Sequence, residues 1–181
     1  YYLAGQGVST YDLMDTITDD MVKVNLVAIA AVLIVLILTM RQIKTPIVLV
    51  LAIETAIWIN LSIPYLQNTP LFYIAYLIIS SVQLGATVDY AILFSDRYRE
   101  CRREMDKKES IIATISQTSV SILTSGITMI AVGFLLGIIS THGLLSQLGY
   151  LLGKGTICSV LTVFFVLPGL LYLTDRKKTS F

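Results

Sequence analysis

The chain has 181 residues, 55% of them hydrophobic and only 14% charged, with a formal net charge of +1. Soluble domains of this length carry about a quarter charged residues, so the composition argues against a soluble protein and for a membrane protein. The near-neutral balance offers no bulk attraction to nucleic acid, and none is expected as a partner.

In chain order, the sequence opens on a polar, acidic stretch. It has no basic n-region and no small-residue cleavage site, and its first residue is not Met. Residues 1–19 are therefore expected to be the tail of something larger; that this is an extracytoplasmic domain is what the resemblance given below implies. Five apolar segments follow, at about 22–40, 47–63, 71–94, 111–139 and 144–173. Each is near or above the ~20 residues that cross about 30 Å of hydrocarbon. Backbone groups in lipid must satisfy one another, so each segment should be helical. The predicted fold class is all-α: an integral membrane bundle of five transmembrane helices over about 20–41, 46–64, 70–97, 110–139 and 143–174. This domain would fill 20–175, leaving a cytoplasmic tail at 176–181. A soluble all-α core is the alternative, but five long runs nearly free of charge leave it no wettable face. The predicted connections are short, except for one long polar stretch over about 95–110.

Orientation follows from the basic residues. With the N-terminus outside and the C-terminus cytoplasmic, all of the 13 Lys and Arg except Lys23 and Lys154 fall on the cytoplasmic side. Asp12, Asp15, Asp19 and Asp20 collect outside. Cys101 and Cys158 lie in a charged and an apolar stretch, make a poor disulfide pair, and have no metal-ligand spacing with the single His142. No metal and no cofactor is expected.

Charges at membrane depth are costly and mark function. Three candidates stand out: Glu54, Asp89 and Lys154. At ~1.5 Å per residue, Asp89 and Glu54 lie at similar depths, roughly 12 to 14 Å from the cytoplasmic helix ends. Gly85 and Ser81 precede Asp89 at four-residue steps, so the acid shares a face with small residues that permit close helix packing. Asp89 is thus expected to point at protein, and burial would raise its proton affinity. Tyr90 is the neighbouring donor. The plainer reading is a permanently protonated Asp that only bonds between helices.

Ser121, Thr124, Ser125 and Thr128 line one face of the fourth helix, near the level of Asp89. They are read either as a supporting polar face or as ordinary helix glue. Glu54 is a possible second acid, and its spacing to Asn60 does not put the two on one stripe. Lys154 is read as a membrane-interface lysine that snorkels. Gly133–Gly137 and Gly149–Gly153 are GxxxG matches that indicate close packing.

The block GATVDYAILFSDRYRE resembles the resistance-nodulation-division (RND) superfamily, and within it the MMPL branch. The acidic lead-in DLMDTITDDMVKV, the helix ILTSGITMIAVGF and the ending LPGLLYLTDR resemble the same branch, so the likeness covers about 11–181. The resemblance implies helices two to six of one half of a twelve-helix exporter, with the first helix and an outer domain upstream. It implies a proton relay by the Asp-Tyr pair of the central helix, which maps to Asp89 and Tyr90. It also implies a second half of the transporter (same chain or dimer), protons, membrane lipids and a lipidic or hydrophobic substrate as partners. Glu54 is not part of that motif. The ending DRKKTSF suggests the second half, with the first left open.

Two other functions stand beside transport. One is a sterol-sensing-like lipid-binding module of the same five-helix architecture without coupled transport. The other is an intramembrane enzyme, for which only an Asp89–Glu54 dyad offers itself; the chain is read as a non-enzyme.

Overall fold

The computed structural model describes residues 6–40 and 42–175, and side-chain surroundings from Asp20 onward apart from Met21, Arg41 and Tyr73. The expected tail at 176–181, the side chains of Asp12, Asp15 and Asp19, and the basic residues Arg41, Arg176, Lys177 and Lys178 lie outside the described residues. The elements in order are α1 (Gln6–Met40), α2 (Lys44–Leu66), α3 (Tyr73–Glu104), α4 (Lys107–Ile139) and α5 (Gly143–Leu161). A π turn at Thr162–Val166 then leads into α6 (Leu167–Thr174). No strand occurs among the described residues.

Five stretches are long and apolar enough to cross a membrane: Val22–Met40, Lys44–Leu66, Ile74–Glu104, Lys107–Ile139 and Gly143–Thr174. The chain is therefore an all-α, multi-pass membrane bundle, with α5, the π turn and α6 making one crossing. The π turn has a local cause. Pro168 has no N–H to donate to the carbonyl four residues back. The ladder opens there, and the Leu167 N–H donates to Thr162 O, five residues back.

Two stretches differ from the sequence reading. α1 begins at Gln6, so the acidic lead-in is helical and continuous with the first span. The long polar connection at 95–110 is not a loop: α3 runs to Glu104, α4 starts at Lys107, and only Met105 and Asp106 lie between them. Charge patterning carries the helix past the apolar stretch. Arg97 pairs with Glu100 and Arg99 with Asp96, three residues apart on one helix. Arg102 and Arg103 sit in the last turn, where cations suit the helix dipole.

α5 is central, packing against α4, α3 and α2, whereas α1 is peripheral. Only 6% of the apolar window of α1 is buried, against 44% in α2, α3 and the α5–α6 span. The larger core cluster joins Leu36 and Met40 of α1, Leu49 and Ile53 of α2, Ala91 and Phe94 of α3, and Ile122 of α4. A smaller cluster, around Ala75, Ile79 and Leu151, lies toward the other end of α3.

The tightest packing is between α4 and α5, where the two GxxxG segments meet. A Cβ placed on Gly133 would lie 2.6 Å from Gly153 N, and one on Gly149 would lie 2.3 Å from Gly137 N. Both obstacles are backbone and cannot swing aside. Ser146 of α5 adds a hydrogen bond to Gly137 O at 2.6 Å. At the same end, Gln147 clamps the α2–α3 loop: its amide donates to Pro70 O at 2.7 Å and its carbonyl accepts from the Phe72 N–H at 2.6 Å.

Gly149→Val should force α4 and α5 apart and lower the stability of the detergent-solubilised chain by about 1–3 kcal/mol. Gly169→Ala, where an added Cβ meets nothing within 4 Å, should leave the melting midpoint unchanged. Equal melting of the two variants would refute the close approach.

Candidate functional site

α3 presents two different faces at mid-bundle. Ser81, Gly85 and Asp89, one turn apart, are all exposed. A Cβ on Gly85 would meet nothing within 4 Å, so no helix among the described residues covers this face there. Tyr90, one residue on, turns about 100° away and packs into the larger core cluster, 8% exposed. Within this chain, then, Asp89 and Tyr90 point in different directions.

The polar face of α4 is also outward, with Ser121, Thr124, Ser125 and Thr128 all exposed. Three of its hydroxyls donate back to their own helix: Thr124 to Val120 O at 2.7 Å, Ser125 to Ser121 O at 3.1 Å and Thr128 to Thr124 O at 2.8 Å. What they present outward is acceptor lone pairs rather than free donors. The Arg97 side chain of α3 donates to Gln117 Oε1 of the antiparallel α4, and Cys101, one turn further along α3, lies 3.7 Å from the same oxygen. Asp89 stands eight residues from Arg97 and Ser125 eight from Gln117 in the same direction, which puts them at one level to within about a turn. The two outward polar faces thus coincide in level.

Behind the Asp89 face, α2, α3 and α5 share a buried polar network. Asn60 Nδ2 donates to Gln83 Oε1 at 2.8 Å and to Leu151 O at 3.2 Å. Gln83 Nε2 donates to Gly155 O at 3.2 Å and lies 3.4 Å from Ser159 Oγ. Thr87 Oγ1 lies 2.6 Å from both Gln83 O and Ser159 Oγ. A Cβ on Gly155 would come within 2.6 Å of Asn60 Nδ2, so glycine is what admits the two amides. Sequence reasoning did not single out Gln83, Ser159 or Gly155; the available signal was an amide within an apolar span.

A second missed cluster closes the basic end of the bundle. Asp175 Oδ2 accepts from Arg102 Nε at 2.7 Å and from the Tyr98 hydroxyl at 2.9 Å. Lys107 donates to Asp175 O and lies 5.5 Å from the centre of the Tyr172 ring. One residue after α6 thus ties α3 to the start of α4. Burial works to raise the Asp175 carboxyl, but hydrogen bonds from Arg102 and Tyr98 and the charges of Arg102 and Lys107 outweigh it and hold it below its ordinary value of 3.8.

Glu54 stands apart from this. It is half-buried, lines a cleft between α1, α2 and α3, and its Oε1 is buried without a hydrogen-bond partner. Asn60, six residues on, is wholly buried in the polar network, so the two face different neighbours. Lys154 reaches toward the end of α2, its Nζ 3.4 Å from Gln67 Oε1. Cys101 and Cys158 are both free, and no group of three or more His, Cys, Asp or Glu among the described residues suits a metal ion.

The sequence model of the MMPL family matches residues 1–181. The chain belongs to the MMPL family. The Streptomyces coelicolor membrane protein SCO0839 is 30% identical over 179 residues, covering 96% of this chain and 25% of that protein. The Streptomyces coelicolor membrane protein ActII-3 is 28% identical, covering 85% of this chain and 22% of that protein. MmpL12 of Mycobacterium tuberculosis, named a probable transport protein, is 26% identical over 103 residues, 57% of this chain and 9% of that protein. This MMPL chain therefore spans a quarter or less of the length of these curated relatives.

The Asp175 cluster has a definite pH signature. A carboxyl group held low in the folded state contributes stability that is complete above 3.8 and is lost as pH falls through its lower folded value. Asp175→Asn should cost about 1.5–3 kcal/mol at pH 7, the range for hydrogen bonds to a charged group. The gap between parent and variant should close as pH is taken below about 4. A gap constant from pH 7 to pH 3 would show that charge at Asp175 contributes nothing.

Proposed function

We propose that this MMPL chain is the membrane part of one half of a proton-driven exporter of lipidic or hydrophobic molecules, with Asp89 as its protonated group. The observation that carries this reading is the outward face of α3. A carboxyl group, a bare glycine and a serine share one stripe at mid-membrane depth, and no helix among the described residues covers it. An ionisable side chain facing hydrocarbon is costly, so this face calls for a protein or water-lined partner. A second transporter half, in the same protein or as a second copy, supplies one. The small residues at Ser81 and Gly85 let its helix come close, and the α4 face with Ser121, Thr124, Ser125 and Thr128 extends the contact at the same height. The name of MmpL12 agrees with a transport role.

In this reading the basic end of the bundle is cytoplasmic and α1 enters from outside, the orientation that the asymmetry of Lys and Arg supports. Proton uptake at Asp89 removes a charge from the interface between halves and changes how closely they pack. Tyr90 lies in the core on the adjoining side of α3, so a rotation or shift of that helix reaches the Leu36–Phe94 cluster directly. One proton moving through 100 mV supplies about 2.3 kcal/mol, enough to bias a two-state packing. The residues upstream would carry substrate contacts. A lipid-binding module without coupled transport is the second reading, favoured by the cleft at Glu54.

In the full-length protein, Asp89→Asn should abolish gradient-dependent export while the protein still reaches the membrane. Asp89→Glu should keep part of it. Undiminished gradient-dependent export by Asp89→Asn would end the relay assignment.

A further inference from the structure

The inward face of the last crossing does not follow an ordinary helix. Ser159, Val163, Leu167 and Leu171 are all buried, and Asp175 reaches Arg102 and Tyr98 of α3. Each of these positions is four residues from the next. In an α-helix four residues turn through about 400°, so every such step overshoots a full turn by about 40°. Between Ser159 and Asp175 the overshoot reaches about 160°, which would put Asp175 on nearly the opposite side of the helix. The π turn at Thr162–Val166 takes in one extra residue and turns the rest of the helix back by about 100°. That correction seats Asp175 against α3 while Ser159, further up the same crossing, keeps its 2.6 Å contact with Thr87.

The same residues hold a second face. In an unbroken α-helix the line of Ser159 would continue through Val166, Leu170 and Leu173, at steps of seven, four and three residues. These are apolar as well, and two of them now look outward: Val166 is 42% exposed and Leu173 77%. The end of the crossing thus carries two apolar stripes, and only the one with Leu167 and Leu171 ends on a carboxyl group. Lipid tails are as apolar as leucine, so exchanging one stripe for the other carries no hydrophobic penalty in a membrane. Two things hold the observed setting. Pro168 opposes the unbroken helix, because its ring meets the carbonyl four residues back. The other hold is the set of bonds from Arg102, Tyr98 and Lys107 to Asp175. Both lie beyond the glycine contact that fixes α5 to α4.

We propose that α6 is a rotary latch, turning about its own axis at the π turn between two settings. In one, Asp175 ties α3 to the start of α4. In the other, Val166, Leu170 and Leu173 face the bundle and Asp175 is released. The latch controls whether the basic ends of α3 and α4 are fastened to the last crossing, and it stands independently of Asp89.

The test uses full-length protein in detergent, with its native cysteines replaced by alanine and one reporter thiol at a time. The reporters are Leu171→Cys, Leu173→Cys and, as a control on α4, Ile112→Cys, at positions 4%, 77% and 68% exposed. Methyl methanethiosulfonate, small and uncharged, labels each thiol at a rate set by its access. With the latch set, the thiol at 171 should react at least about tenfold more slowly than that at 173. Asp175→Asn and Pro168→Ala, which remove one hold each, should raise the rate at 171 and lower it at 173, with 112 unchanged. Deletion of Phe165, an outward residue of the π turn, leaves an ordinary α-helix whose phase keeps Leu171 inward. In that background Asp175→Asn should change neither rate. Rates that rise together at 171 and 173 would mean fraying in place of rotation. Unchanged rates in either Asp175→Asn or Pro168→Ala would mean a helix fixed by its core leucines. Each of these overturns the proposal, as does a response to Asp175→Asn that survives the deletion.

Discussion

The bundle depends on one contact between backbones, the crossing of Gly133 and Gly137 on α4 with Gly149 and Gly153 on α5. Lipid tails are as apolar as leucine, so no hydrophobic force draws one membrane helix to another. Van der Waals contact and hydrogen bonds must do it, and they are strongest where the backbones touch. The crossing also sets the rotation of α4. Ser110, Thr114, Thr118, Ile122 and Gly126 face inward below it, while Ser121, Thr124, Ser125 and Thr128 are turned out. The polar outer face of this half is thus a consequence of a glycine contact more than a turn away.

The polar groups of the chain divide by whether it satisfies them itself. Asn60, Gln83, Thr87 and Ser159 bond to one another or to backbone carbonyls and hold three helices together. Tyr98, Arg102, Lys107 and Asp175 do the same at the basic end. Asp89 faces outward uncovered, and single buried oxygens of Glu54, Asn60 and Ser95 have no partner among the described residues. A polar group that the fold has already paired is a structural element. An acid that stands uncovered at membrane depth, as Asp89 does, calls for something from outside the chain, and the proposed function rests on that.

The two acids also lie in different structural surroundings despite their similar depth. Glu54 opens into a recess between a loosely held α1 and the α2–α3 pair. Asp89 lies on an uncovered face of α3. A stripe of small residues there suits a closely packed protein partner.

How much of this was written in the residues follows from what each feature needs. The five spans were legible because hydrocarbon leaves the backbone no partner but itself and sets the length of every crossing. That Ser81, Gly85 and Asp89 share one stripe was legible because helical spacing alone puts them there; that no described helix covers the stripe was not. The polar connection expected over about 95–110 is almost wholly helical. Its charges pair three residues apart, a local signal that was present, and they keep α3 helical to Glu104. Other features were beyond any local pattern. Each GxxxG motif indicated close packing but not that the two would pack on each other. Gln83 and Asp175 owe their roles to groups 23 to 77 residues away in the chain. Tyr90 was next to Asp89 in sequence, yet the rotation of α3 sent it into the core. Sequence by itself determined which segments cross the membrane and which residues share a helix face, because those depend only on solvent and helical geometry. Tertiary structure alone decided which face meets which helix and which polar group finds a partner, because distant backbones must first be brought into contact.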